Sequence, residues 1–214
     1  DSGSYLNEDY LGSNINTKYH EGLASFDNEG NMYISRESFY ENEYVKDPES
    51  NNITSLIGIY KISKGDKNVV ALNINSVEYS VKNTSLSSDG KSIYFSSDMP
   101  GGYGNFDIYK GDIDEKGNIN NVENLGQKVN TEGQEMFPFI GDKNNLYFSS
   151  DSQLGLGGLD VFFTKEVDGK WASVRNVGIP VNSNADDFAF SMNEATGEGF
   201  VSSNRSGGKG SDDI

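Results

Sequence analysis

Cysteine is absent from these 214 residues, which excludes disulfides, thiolate metal sites and thiol nucleophiles. The absence leaves the compartment open, because many periplasmic and extracellular domains lack cysteine. Histidine occurs once, as His20, so a histidine-ligated zinc centre is excluded by count. Basic residues are scarce: 17 Lys and Arg against 33 Asp and Glu give a net charge of −16. Nucleic acids and anionic membranes both require a basic surface, so neither is an expected partner. Cationic partners and divalent cations stay open. No apolar run approaches the ~18 residues of a membrane-spanning helix, so no direct membrane insertion is expected. No signal peptide is visible. Residue 1 is an Asp within a repeat, so the chain reads as a piece of a longer one. No stretch has the 3.6-residue periodicity of an amphipathic helix.

What is present is a repeat. Ser96-Ser97-Asp98 returns as Ser149-Ser150-Asp151 and again as Ser202-Ser203-Asn204, a step of 53 residues each time. Asp107-Ile108-Tyr109, Asp160-Val161-Phe162 and Asp213-Ile214 keep the same step. A fixed period of this size marks a repeat architecture. A residue that recurs in every unit is first a structural device. A residue that breaks the pattern is the better functional candidate.

Within the clearest unit, Phe137 to Ile140 is short and apolar. Gly141 to Asn145 is a turn cluster. Leu146 to Ser149 and Val161 to Thr164 read as strands. Asp168-Gly169 is a hairpin signal, and Trp171 to Val177 is a fourth strand. Ile93-Tyr94-Phe95 is apolar at consecutive positions, so both faces of its strand should be covered. Connecting segments recur at Leu11-Gly12 to Thr17, Leu125-Gly126 to Thr131 and Val177-Gly178 to Ser183, with a weaker copy at Ile74-Asn75-Ser76. The expected fold is all-β: a β-propeller of four-stranded antiparallel blades packed radially. The blades fall at about 23–73, 84–125, 136–177 and 188–214, the last of them partial. Residues 3–10 are expected as an outermost strand, and about five blades in the parent ring. A parallel β-helix is the structural alternative.

Ser87-Ser88-Asp89-Gly90-Lys91-Ser92-Ile93-Tyr94-Phe95 resembles the Ser-Pro-Asp-Gly-Lys-x-Ile-Tyr-Phe signature of TolB-like (WD40-like) propeller repeats, with Ser88 in place of proline. The Phe-Ser-Ser-Asp, Gly-Gly-x-Gly, Asp-Ile-Tyr succession looks like the variant in OmpA-family envelope proteins of Bacteroidota. Asp186 to Phe190 and Ser202 to Gly208 resemble a final blade of that kind. The resemblance covers about residues 11–214. The first full blade departs from it: Ile34-Ser35-Arg36 replaces Phe-Ser-Ser, and Gly58-Ile59-Tyr60 replaces Asp-Ile-Tyr. In that family the propeller follows tetratricopeptide repeats. It precedes a carboxypeptidase-regulatory-like domain and an OmpA-like peptidoglycan-binding domain. One branch, PorE-like, serves type IX protein secretion. The resemblance therefore implies a periplasmic, outer-membrane-associated protein with partners in the envelope. Peptidoglycan would be reached through domains that this chain lacks.

Several constellations need weighing. Asp98 and Asp107 lie nine residues apart across a Gly-rich loop, as do Asp151 and Asp160. Two carboxylates on such a turn are candidate calcium ligands. Recurrence in every blade favours a structural role, in which each Asp accepts backbone N–H bonds while Gly takes φ > 0. No metal centre and no cofactor is expected on that reading. The glycines are no phosphate loop, since no helix follows them and no P-loop Lys-Ser/Thr is present. His20 would have to serve any Ser-His-Asp triad. It occupies a repeat position filled elsewhere by Gln134 and Asp186, which argues against catalysis. Glu132 and Glu135 are the nearest candidates for a glycosidase pair. Trp171 opens an outer strand and is expected to pack under the next blade. Asn-x-Ser/Thr triplets at Asn52, Asn83 and Asn204 read as chance.

The segment from Arg36 to Ser55 breaks the repeat most. Ser35 to Ile59 spans 24 positions, where Ser96 to Ile108 spans 12. Its extra residues include Phe39, Tyr40 and Tyr44 beside Glu41, Glu43, Lys46 and Asp47, a composition that suits a protein interface or a solvated insertion. The expected function is non-enzymatic: a protein-interaction or scaffold propeller. The alternatives are a carbohydrate-active or peptidase-associated propeller and a cation-dependent glycan-binding module. An inward-facing, blade-specific pair of acids in the central funnel would favour the enzyme.

Overall fold

A computed structural model of the chain describes residue 12 and residues 15–38, 45–46, 53–208 and 210–214. The expected strands 3–10 and the side chains of Phe39, Tyr40 and Tyr44 lie outside the described residues. Two four-stranded antiparallel sheets and a five-stranded one follow one another, then a fourth, smaller sheet. The first runs β1 (Glu21–Phe26), β2 (Met32–Glu37), β5 (Ile57–Ile62), β6 (Val69–Ala71). Between β2 and β5 the insertion carries a small hairpin of its own, β3 (Val45–Lys46) and β4 (Ile53–Thr54). The second sheet holds β7 (Val81–Leu86), β8 (Ser92–Ser97), β9 (Asp107–Ile113) and β10 (Ile119–Asn124). The third holds β11 (Glu135–Ile140), β12 (Asn145–Ser150) and β13 (Asp160–Val167), then β14 (Lys170–Trp171) and β15 (Arg175–Asn176). The fourth pairs β16 (Asp187–Met192) with β17 (Gly199–Ser203), and Ser203 bridges Asp213. The expected fourth strand of the third blade is thus split in two, because the chain turns at Ala172. Its amide donates to Lys165 and its carbonyl accepts from the Thr164 hydroxyl.

The first strand of each blade sits at one edge of its sheet, and these edges meet: β1 packs on β7, β7 on β11, β11 on β16. That is the axis of a propeller. Every one of these inner strands slips register near its middle. In three of them the residue at the slip has positive φ: Asn83 at 54°, Phe137 at 53° and Ala189 at 52°. A bulge twists an edge strand sharply and frees it from the ladder. It also explains how Pro138 is tolerated, since proline within a sheet belongs at an edge or a bulge.

Alternate side chains of the second strand face neighbouring blades. Ile93 and Phe95 pack with Tyr33 and Ile59 of the first blade, while Tyr94 and Ile108 pack with Leu146 and Phe148 of the third. Burying one such side chain contributes on the order of 1.5–3 kcal/mol. This is why three consecutive apolar residues were needed. Trp171 corrects the expectation. It lies edge-on to Tyr94 at 6.3 Å and joins the cluster shared with the preceding blade. Its strand position gives it the same face as Leu146 and Phe148, which point backward along the chain.

The fourth blade packs on the third through Tyr147 and Phe190, with ring centroids 5.1 Å apart. Its other face is open. Phe200 is half exposed where Tyr33 and Tyr94 are buried. A cavity of about 420 Å³, lined by Leu23, Ala189, Ser191, Phe200, Ser202 and Ile214, separates this face from the first blade.

Candidate functional site

The repeated acids divide into three sets, each with its own task. Asp98 accepts the Ser80 N–H at 2.7 Å, and Asp151 accepts the Gln134 N–H at 2.8 Å. Asn204 accepts the Asp186 N–H at 2.8 Å. Each fastens the end of the second strand to the entry of the first. The second set fixes the Gly-rich loop. Asp107 accepts from the amides of Tyr103 and Gly104, and Asp160 from those of Leu156 and Gly157. The geometry explains the glycines: a Cβ at Gly102, Gly155 or Gly208 would collide with the carboxylate of Asp107, Asp160 or Asp213.

The proposed cation pairs are therefore split, one member bonding the strand entry and the other the loop. Among the described residues no three His, Asp or Glu side chains gather as a metal site would require. One oxygen is left over: Asp160 Oδ1 is buried and has no hydrogen-bond partner among the described residues.

The third set follows the repeat position of His20, Gln134 and Asp186, an acid next in sequence in three blades. Glu21, Glu135 and Asp187 open the inner strands, and Glu135 and Asp187 are fully buried. Thr131 donates to Glu135 from both its amide (2.7 Å) and its hydroxyl (2.6 Å), and Ser150 adds a third bond at 2.7 Å. Burial pushes the Glu135 carboxyl above its ordinary range, against the pull of these donors, and nearby Asp107 pushes the same way. Asp187 has a cation instead: Arg205 pairs with it and also donates to the carbonyls of Pro180 and Val181. Burial raises the Asp187 carboxyl, but bonds from Ser203, Arg205 and Ser183 together hold it below the usual range. In the first blade Glu21 lies 3.8 Å from Arg36, which is fully buried and donates to the Ile15 carbonyl at 2.9 Å. The second blade dispenses with the acid and puts Val81 opposite Ser97. The sequence signal was available: an acid four residues after Thr17, Thr131 and Ser183.

The catalytic candidates do not assemble. Glu135 is consumed inside a blade junction, Glu132 is exposed on the connecting loop, and His20 is exposed. The axial cavity, about 290 Å³, is lined by the inner strands of all four blades. Its walls are Leu23, Phe26, Leu86, Phe137, Phe139 and Phe190, with Ser25, Thr84, Ser85 and Ser191 among them. None of its described lining residues is titratable. A half-buried amine lies elsewhere: Lys82 stands 3.6 Å over the Phe106 ring, and burial lowers its pKa against the influence of Asp98.

No protein-family model matches the chain, and no curated protein matches it by sequence. Solved structures do match in shape. TolB from Acinetobacter baumannii superposes with a TM-score of 0.56 at 16% identity over 91% of this chain. The chain spans 40% of the length of that TolB. A chain assigned as TolB from Agrobacterium tumefaciens gives 0.51 at 16% identity, covering 87% of this chain and 71% of its own. A gluconolactonase from Xanthomonas campestris gives 0.53 at 12% identity, covering 83% and 52%. Sheets, inner-strand ring and structural likeness agree: the fold is a TolB-like β-propeller.

Proposed function

We propose that this chain is a non-enzymatic protein-interaction propeller of a cell-envelope protein, working in the periplasm and tied to the outer membrane. The observation that carries the reading is the axial cavity. In a propeller enzyme the acids and bases would converge there, and here the described lining is apolar or hydroxylic. The recurrent carboxylates are engaged by backbone amides, hydroxyls and arginines, which supports a structural role for them. The resemblance to Bacteroidota OmpA-family repeats supports the envelope and, within it, a link to type IX secretion. The reading includes a ring of about five blades, consistent with half-exposed Phe200 on the open face of the fourth. The fold shared with a gluconolactonase adds no chemistry to this chain, because fold does not imply function.

The test has two arms. Incubated with gluconolactone, nitrophenyl glycosides and peptide anilides, the chain should leave hydrolysis at the buffer rate. Cross-linking in native envelopes should recover a defined partner, confirmed reciprocally. Removing about residues 40–52, around Tyr44 and near Phe39 and Tyr40, should weaken that link and leave the melting temperature in place. Turnover well above buffer would overturn the reading. So would partner recovery unaffected by the deletion together with no other surface change that weakens it.

A further inference from the structure

Chain direction gives the propeller two unlike faces. The Gly-rich loops and the connecting segments lie on one, and the tight turns within hairpins lie on the other. On the loop face the segments interlock from blade to blade. The Gln153 side chain donates to the Val129 carbonyl, Gly157 lies against the Ala185 carbonyl, and Arg205 donates to the Pro180 carbonyl. This belt exposes large apolar side chains: Leu154 at 95%, Ile179 at 81%, and Leu156 and Tyr103 about half.

The fold does not ask for them. Asp160 holds its loop through the backbone amides of Leu156 and Gly157, so the side chains are free to vary. Sister loops carry Gly101 and Gly207 where this one carries Leu154. The repeat-breaking insertion with its β3–β4 hairpin also joins the second and third strands of its blade, and so belongs to the same face. Acids outnumber bases around the patch, where Lys128 is an exposed cation on the neighbouring connecting segment. Asp98, Glu132 and Asp151 are exposed beside it, while Arg205 is engaged by Asp187. On the opposite face acids alternate with lysines, as in Asp66-Lys67, Asp142-Lys143 and Asp168 to Lys170.

We propose that the loop face, centred on Leu154, Leu156 and Ile179, docks a polypeptide segment of a partner protein whose apolar side chains are flanked by lysine or arginine. The apolar centre would be buried and the acidic rim would select the flanking cations, a division of labour usual at interfaces. A lipid surface is a poor occupant for a chain of net charge −16. The inference rests on the interaction reading above and adds the surface and the chemistry of its partner.

The test uses a defined probe, an acetylated, amidated heptapeptide of alternating lysine and leucine, titrated into the 15N-labelled chain. An otherwise identical glutamate–leucine peptide is the control. Amide shifts should concentrate at residues 101–105, 153–158 and 178–183, and the glutamate peptide should leave them unmoved. The triple variant Leu154→Ser, Leu156→Ser, Ile179→Ser should bind at least tenfold more weakly with an unchanged melting temperature. Shifts centred on the opposite turns or spread evenly over the acids would overturn the proposal. Absence of binding, or a triple variant as tight as the parent, would do so too. Those results leave the envelope cross-linking and turnover assays untouched, so failure of this surface is distinguishable from failure of the broader reading.

Discussion

The Asn130 side chain closes on both backbone groups of Ile108. Its Oδ1 accepts the Ile108 N–H at 2.8 Å and its Nδ2 donates to the Ile108 carbonyl at 3.0 Å. Asn182 does the same to Val161, and Asn75 to Ile59. In these three blades the amide completes the ladder edge beside the departing chain, whose Leu125, Val177 or Leu72 N–H reaches the same carbonyl. The buried N–H is satisfied by the side chain, and the carbonyl is shared between the side chain and that backbone amide.

Asn130→Ala should therefore destabilise the chain by about 1–3 kcal/mol, the cost of one orphaned buried donor, because the Ile108 carbonyl keeps the Leu125 N–H. Asn130→Asp should be nearly as harmful, because it sets a carboxylate oxygen against the Ile108 carbonyl and Asn124 Oδ1, to which Nδ2 now donates. Urea unfolding read by Trp171 fluorescence measures both. A midpoint shift of less than half of that seen for a buried apolar truncation would contradict the capping role.

Arg36 gives a prediction against the repeat consensus. Ser97, Ser150 and Ser203 occupy its position in the other blades, so Arg36→Ser looks conservative. It should instead cost about 2–3 kcal/mol, less than the ~3–5 kcal/mol of a fully buried pair, because Glu21 keeps some exposure. The second blade shows the compatible alternative, Val81 opposite Ser97. The double variant Arg36→Ser, Glu21→Val should recover at least half of the loss. Equal urea midpoints for the single and double variants would rule out the coupling.

Glu135 and Asp187 should bend the pH–stability curve in opposite directions. The Glu135 carboxyl is raised in the folded state above its ordinary 4.5, so its ionised form lowers stability near neutrality. That penalty is relieved as the pH falls through the raised value toward 4.5. The Asp187 carboxyl is held below its ordinary 3.8, so its contribution is present above 3.8 and lost as the pH falls through the folded value. Melting temperature should rise on mild acidification and then drop. Glu135→Gln should flatten the rise and Asp187→Asn the drop. Profiles of both variants parallel to the parent would refute these assignments.

The repeat of Ser96, Ser149 and Ser202 carried the architecture, because a strand position facing the next blade recurs with the blade itself. What one position bonds was far less legible. Asn130 recurs visibly, but its partner lies 22 residues upstream, and an Asn in a loop reads as turn chemistry. Arg36 stood out as a departure, yet a charged residue reads as exposed by default. The bulged residues Asn83, Phe137 and Ala189 share no side-chain chemistry, so nothing marks them. Their common φ goes with the register slip that each inner strand makes there. Asp98 and Asp107 looked like a pair from their spacing, and their hydrogen bonds pull them to different tasks. Trp171 was placed on the wrong side because strand parity alone does not say which face looks backward along the chain.

The repeated carboxylates of the described residues are bonded as parts of the fold. Asp160 Oδ1, buried without a partner among the described residues, is where that claim is most exposed. Thermal melting in chelator and then in calcium tests it directly, because a ligand bound only to the folded state must stabilise it. The account predicts that chelator shifts the melting temperature by less than about one degree, and that calcium does not raise it. A loss of many degrees in chelator, restored by calcium and abolished in Asp160→Asn, would contradict it.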